Sequence, residues 1–256
     1  MKDMEELKYI TKISSVGLHA LDDGNNPISS ASGCIIRYKG RRFLISVSHA
    51  VLTEGKWGLE LGYDFEHKGI KYFLPQFEWL KQGSINTKLI QSDFDCPIED
   101  LIENPSIIDF AYAELPDWVE AVDEYFDFEK MIRYFCPKNI LETNLAQKPI
   151  IGEKYSFYGN IRTVVNKEVK ALILTPRMQM DIDYVSEFKD DYYRFRLPDI
   201  IKDKYDYKGC SGAPILNNEG KLISLVTNGA ENTNLLLGIR FEKLKIALDI
   251  KVGDFT

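Results

Sequence analysis

The chain has 256 residues, 45% of them hydrophobic and 28% charged, with a formal net charge of −7. Those proportions suit a globular protein of one large domain or two small ones, and the acidic balance argues against binding to a nucleic-acid backbone as the main activity. No window of about 18 apolar residues is present, so no membrane-spanning helix and no membrane partner is expected.

The chain opens on the charged run Met1-Lys2-Asp3-Met4-Glu5-Glu6-Leu7-Lys8. It has no apolar h-region, so no secretory leader is expected and a cytoplasmic location is. Candidate strands of a first β-rich half follow at Lys8 to Leu21, Gly33 to Tyr38, Arg41 to Val47, Trp57 to Tyr63, Ile85 to Ile90 and Ile108 to Glu114. Lys39-Gly40 reads as a hairpin turn between two of them. The acidic stretch Ser92 to Asn104 reads as a loop, and Pro116 to Tyr134 as a short helix or linker between halves. A second half offers strands near Lys154 to Tyr158, Thr163 to Leu174, Tyr192 to Arg196, Pro214 to Leu216, Leu222 to Val226 and Leu235 to Arg240. From Phe241 to Ile250, apolar Phe241, Leu244, Ile246, Ala247 and Ile250 alternate with lysines, the pattern of an amphipathic C-terminal helix.

Cys34, Cys96, Cys136 and Cys210 are scattered and form no C-x-x-C pair, so structural zinc is not expected and reduced thiols are. The carboxylates Asp93, Asp95, Glu99, Asp100 and Glu103 do not follow the spacing of an EF-hand loop of about 12 residues. They read as a solvated loop, and no metal or other cofactor is expected.

Three residue settings carry chemistry. In Tyr207-Lys208-Gly209-Cys210-Ser211-Gly212-Ala213-Pro214 a serine lies between glycines, which adopt backbone conformations closed to other residues. Such a turn exposes the hydroxyl and leaves neighbouring N–H groups free for an oxyanion. His49 closes the apolar run that begins at Phe43, and Asp109 sits in Ile107-Ile108-Asp109-Phe110-Ala111-Tyr112, where a carboxylate needs a partner. Each alone has a plainer reading: a turn serine, a core histidine, a strand-end carboxylate. Together they give the order His, Asp, Ser. His67, between Glu66 and Lys68, reads as solvent-facing, and His19 as structural.

These segments resemble the chymotrypsin-like (trypsin-fold) serine peptidases. Phe43 to Val51 is similar to that family's strand ending in T-A-A-H, Asp109-Phe110-Ala111 to its D-[IF]-A segment, and Gly209 to Pro214 to its G-x-S-G-x-P turn. Ser32-Gly33-Cys34-Ile35-Ile36 is similar to the strand before the histidine, and Gly220 to Gly229 to the strand after the nucleophile. The resemblance covers about residues 30 to 250. It implies an all-β fold of two six-stranded antiparallel β-barrels, about 8–115 and 151–240, joined by a segment of about 116–150 and followed by a helix at about 241–250.

The resemblance further implies Ser211 as nucleophile, His49 as base, Asp109 as the group orienting the ring, and the N–H groups of Gly209 and Ser211 as oxyanion donors. By the same likeness Tyr205, Asp206 and Lys208 wall the pocket for the residue before the cut bond, and Thr227, Asn228 and Gly229 pair with the substrate backbone. The resembled family often has aspartate at Cys210, paired with a newly cut N-terminus. Cysteine cannot form that ion pair, so control by a regulatory protein partner or by substrate access is expected instead of clipping. The implied function is a serine endopeptidase acting on a protein or peptide substrate, with a regulatory or defence role by analogy alone. The alternatives are a catalytically silent trypsin-fold module that holds a peptide in its cleft, and an α/β-hydrolase esterase. The latter's Ser, Asp, His order and G-x-S-x-G turn are not those of this chain.

Overall fold

The structure, a computed structural model, describes residues 3–52, 54–63, 69–85, 102–127, 132–166, 171–203, 207 and 209–253. Helix α1 (Met4–Ser14) leads into strands β1 (Val16–Leu21), β2 (Pro27–Tyr38) and β3 (Arg41–Ser46), then the single-turn helix α2 (Ser48–Val51). Strands β4 (Lys56–Tyr63), β5 (Gly69–Phe73), β6 (Lys81–Ile85), β7 (Ile102–Ile107) and β8 (Ala111–Leu115) complete the first half. Among the described residues its main sheet runs β5-β4-β1-β2-β3-β8, and β11 (Ile140–Glu142) adds to β2 in parallel.

The second half is a closed barrel in the order β12 (Lys154–Asn166), β13 (Ala171–Phe188), β14 (Tyr192–Arg196), β17 (Leu235–Ile239), β16 (Leu222–Gly229) and β15 (Pro214–Asn217). Helix α3 (Glu242–Val252) follows. The all-β architecture with a C-terminal helix thus matches the sequence expectation; the second half is a closed barrel, and the first half is a curled sheet that the described residues do not close.

Several boundaries differ from the sequence reading. Residues from Lys8 to Leu21 are not one strand. Asp3 caps α1 by accepting from the Glu6 N–H at 2.7 Å, and Leu7, Thr11 and Ser14 bury one helical face before β1 begins. The segment from Pro116 to Tyr134 holds no helix among its described residues. Strands β9 (Val122–Asp127) and β10 (Ile132–Pro137) pair there as a hairpin, as suits a run rich in aromatic and β-branched residues. The span from Thr163 to Leu174, read as one strand, holds the end of β12 and the start of β13. The acidic segment read as a loop passes into β7 at Ile102, while Asp93, Asp95, Glu99, Asp100, Cys96 and His67 lie outside the described residues. In α3 the buried face is Leu244, Ala247 and Leu248, while Ile246 and Ile250 are exposed. No described helix is long and apolar enough to cross a membrane.

A shared core locks the two halves together. Cys34, Ile36, Phe43, Ile45, Val47 and Phe110 from the first half pack with Leu216, Leu222, Leu225 and Ile239 of the barrel and Leu244 and Leu248 of α3. Phe110 is fully buried here, and truncating such a phenylalanine to alanine costs about 3–5 kcal/mol. This seam matters for function because Phe110 follows Asp109 directly and Val47 lies two residues before His49.

Candidate active site

The strand register of the first half brings two of the three predicted side chains together. Strands β3 and β8 are antiparallel with Ser46 opposite Ala111, so the chain leaving β3 runs past the residues that precede β8. Ser48 and His49 therefore meet Asp109. The Asp109 carboxylate accepts from His49 Nδ1 at 2.8 and 2.9 Å, from the His49 backbone N–H at 3.2 Å and from Ser48 Oγ at 3.1 Å. Its side chain is only 12% exposed, against 41% for His49. These donors supply what a half-sunk carboxylate requires. Because a carboxylate only accepts, Nδ1 carries the ring proton of neutral His49 and Nε2 is left as an acceptor.

That acceptor faces the second half of the molecule. His49 Nε2 lies 3.1 Å from Ser211 Oγ, which is also 3.0 Å from the carbonyl of Thr227. The structure thus brings His49, Asp109 and Ser211 into one hydrogen-bonded line from two different β units.

The backbone around Ser211 is held on both sides. The Cys210 N–H donates to Tyr207 O at 3.0 Å, the Ala213 N–H to Cys210 O at 2.8 Å, and the Gly212 N–H to Val226 O at 2.8 Å. From the first half, the Ser32 N–H donates to Ser211 O at 3.0 Å and Ser32 Oγ to Gly209 O at 2.7 Å. Gly209 has φ 103° and Gly212 φ 90°, a region that favours glycine. A Cβ on Gly212 would stand 2.0 Å from Ser32 O and 2.3 Å from Ser46 Oγ. Because each peptide is planar, the bond to Cys210 O fixes which way the Ser211 N–H points. Among the described residues, no group accepts from the N–H of Gly209 or of Ser211.

Cys210 is fully buried in the barrel core. Burial pushes its thiol up to about 12, with Arg177 opposing, so the neutral thiol does not compete with Ser211 as a nucleophile. Of the residues expected to bind substrate, Asn228 and Gly229 are exposed. Thr227 is buried, and its hydroxyl donates to Leu237 O at 3.1 Å. Only backbone atoms of Thr227 therefore remain for a ligand, and its carbonyl already faces Ser211. Tyr205, Asp206 and Lys208 lie outside the described residues. Among the described residues, no group of three or more His, Cys, Asp or Glu side chains is arranged to hold a metal ion.

Sequence reasoning missed Ser32, Ser46 and Ser48. The available signal was their presence in strongly apolar strand segments: a hydroxyl buried there must find a partner, and here Ser32 donates to the turn, Ser46 to the Ser32 carbonyl and Ser48 to Asp109.

Neither a protein-family model nor a curated protein sequence matches the chain. Solved structures do. The serine endoprotease from Yersinia pestis matches with a TM-score of 0.54 at 11% identity, over 99% of this chain and 68% of that one. The structure of GrC, granzyme C, matches with a TM-score of 0.54 at 11% identity, over 95% of this chain and 96% of that one. At such identity the likeness establishes a trypsin-like fold and nothing finer.

Proposed function

We propose that the chain is a serine endopeptidase that cleaves a protein substrate through an acyl-enzyme. The observation that carries this reading is the continuous line Asp109–His49–Ser211, with contacts of 2.8 and 3.1 Å. Ser211 Oγ attacks the scissile carbonyl carbon while its proton passes to His49 Nε2. The negative oxygen that results accepts from the N–H groups of Gly209 and Ser211, each contributing about 3–4 kcal/mol. Collapse breaks the C–N bond as His49 returns the proton to the leaving amine. Water, deprotonated by His49, then releases the acid and restores Ser211.

Asp109 stabilises the imidazolium formed in each half-reaction. The exposed edge at Asn228 and Gly229 receives the substrate as an added strand. Cys210, buried and uncharged, supports control by a partner or by access to the cleft over activation by clipping. A silent binding module would gain nothing from a base, its orienting carboxylate and a hydroxyl held in line.

Incubation with a peptide library tests the proposal. Wild-type protein is expected to cleave a subset of peptides and Ser211→Ala none of them. Equal cleavage by both proteins, or none by either, contradicts it.

A further inference from the structure

We infer that Ser32 is a positioning residue for the nucleophile turn: its hydroxyl holds the Gly209 carbonyl and thereby sets the direction of the oxyanion donors. The inference rests on the peptidase reading for its kinetic consequence but not for its geometry. Ser32 lies in β2 and is 1% exposed. It touches the turn at three points. Its N–H donates to Ser211 O at 3.0 Å, its hydroxyl to Gly209 O at 2.7 Å, and its own carbonyl lies against Gly212, where a Cβ would come within 2.0 Å. That carbonyl also accepts from Ser46 Oγ at 2.7 Å, and Ser46 is the last residue of β3.

The physical argument concerns a single peptide plane. Gly209 O and the Cys210 N–H belong to the same peptide, which is rigid and planar. One end is held by Tyr207 O at 3.0 Å and the other by Ser32 Oγ. Gly209 has a wide choice of φ and ψ, so without the second tie the plane is free to rotate. Rotation would redirect the preceding Gly209 N–H relative to the following Ser211 N–H, and an oxyanion needs both within hydrogen-bond reach. Ser32 also joins the sheet that carries His49 to the turn that carries Ser211, since β2 pairs with β3 through Cys34 and Ile45.

A merely structural role predicts a different outcome. Ser224 Oγ makes the same kind of bond, fully buried and 2.8 Å from Ile239 O, inside the barrel. Ser32→Ala and Ser224→Ala should therefore lower the melting temperature alike. Only Ser32→Ala should lower kcat, by roughly tenfold or more with KM little changed, since the loss of one oxyanion donor lowers kcat about 10²–10³-fold. Ser32→Thr should recover most of the rate.

A readout independent of turnover is amide NMR. Exchange broadening at Gly209, Cys210 and Ser211 is expected in Ser32→Ala and absent in Ser224→Ala. Should Ser32→Ala fail to fold, Ser32→Cys, whose thiol is a weak donor, is expected to show the same fall in kcat and the same broadening. Wild-type kcat with sharp amide signals in a folded Ser32 variant lacking the hydroxyl overturns the inference. Wild-type protein without Ser211-dependent cleavage overturns the peptidase reading instead, and the amide signals then decide on Ser32.

Discussion

Tyr38 donates its phenolic proton to Asp249 across 2.6 Å, joining strand β2 of the first half to helix α3 at the end of the chain. Lys39 reaches the same carboxylate oxygen at 2.6 Å and Lys245 the other at 2.7 Å. Lys245, Lys39 and Tyr38, in that order, hold the Asp249 carboxyl well below the usual carboxylate range. A carboxyl depressed on folding adds stability above its unfolded pKa of about 3.9, and that stability is lost as the pH falls toward the folded value. Asp249→Asn is therefore expected to lower the melting temperature at pH 7, with the gap to wild type closing below about pH 4. Melting curves measured across pH check this, and a gap that stays constant into acid contradicts it.

His19 is expected to shape stability in a higher pH window. It is buried between β2 and β4, and among the described residues its Nδ1 has no hydrogen-bond partner. Burial lowers its pKa, Glu60 opposes that and Lys71 reinforces it. The unfolded ring takes up a proton near about pH 6.5, where the folded ring resists it, so stability falls as pH drops through that value. His19→Gln should flatten the decline in melting temperature between about pH 7.5 and 5.5, and an unchanged slope would show that His19 does not titrate against folding.

At Gly212 the expected effect is steric. A methyl group would meet Ser32 O at 2.0 Å with φ at 90°, so the turn must move or the halves must part. Overpacking of this kind costs about 1–3 kcal/mol, with a further 1–3 for the backbone conformation. Gly212→Ala should lose both stability by denaturant melt and activity. A stable, fully active variant would mean that the turn is not pressed against β2 as described.

The orienting role of Asp109 has a kinetic signature. Asp109→Asn leaves a group of the same shape but no longer selects the tautomer with Nδ1 protonated, so kcat is expected to fall by about 10⁴-fold with far less change in KM. Steady-state kinetics of the two proteins check this, and a wild-type kcat in Asp109→Asn would contradict it.

Much of the fold could be read from the chain because the strands nearest the site are short apolar runs with clear turns, as at Phe43 to Ile45 around Lys39-Gly40. The helix α1 was hidden by Ile10, Thr11 and Ile13, whose β preference masks a buried face spaced at Leu7, Thr11 and Ser14. The α3 face was misread because Ile246 and Ile250 are apolar yet exposed, and only burial in the core shared by the two halves selects Leu244 and Leu248. His49, Asp109 and Ser211 stood out because each sits in a setting that demands an explanation. Ser32 and Ser48 did not, because the partner of a strand hydroxyl is chosen by tertiary register: Ser46 opposite Ala111 places Ser48 at Asp109.

The most direct test of the central claim is the mass of the intact protein after reaction with a fluorophosphonate, followed by peptide mapping. The account predicts one adduct, on Ser211, that is absent from Ser211→Ala and forms far more slowly in His49→Ala. An adduct that persists in Ser211→Ala, or a wild-type protein that never reacts, would contradict it.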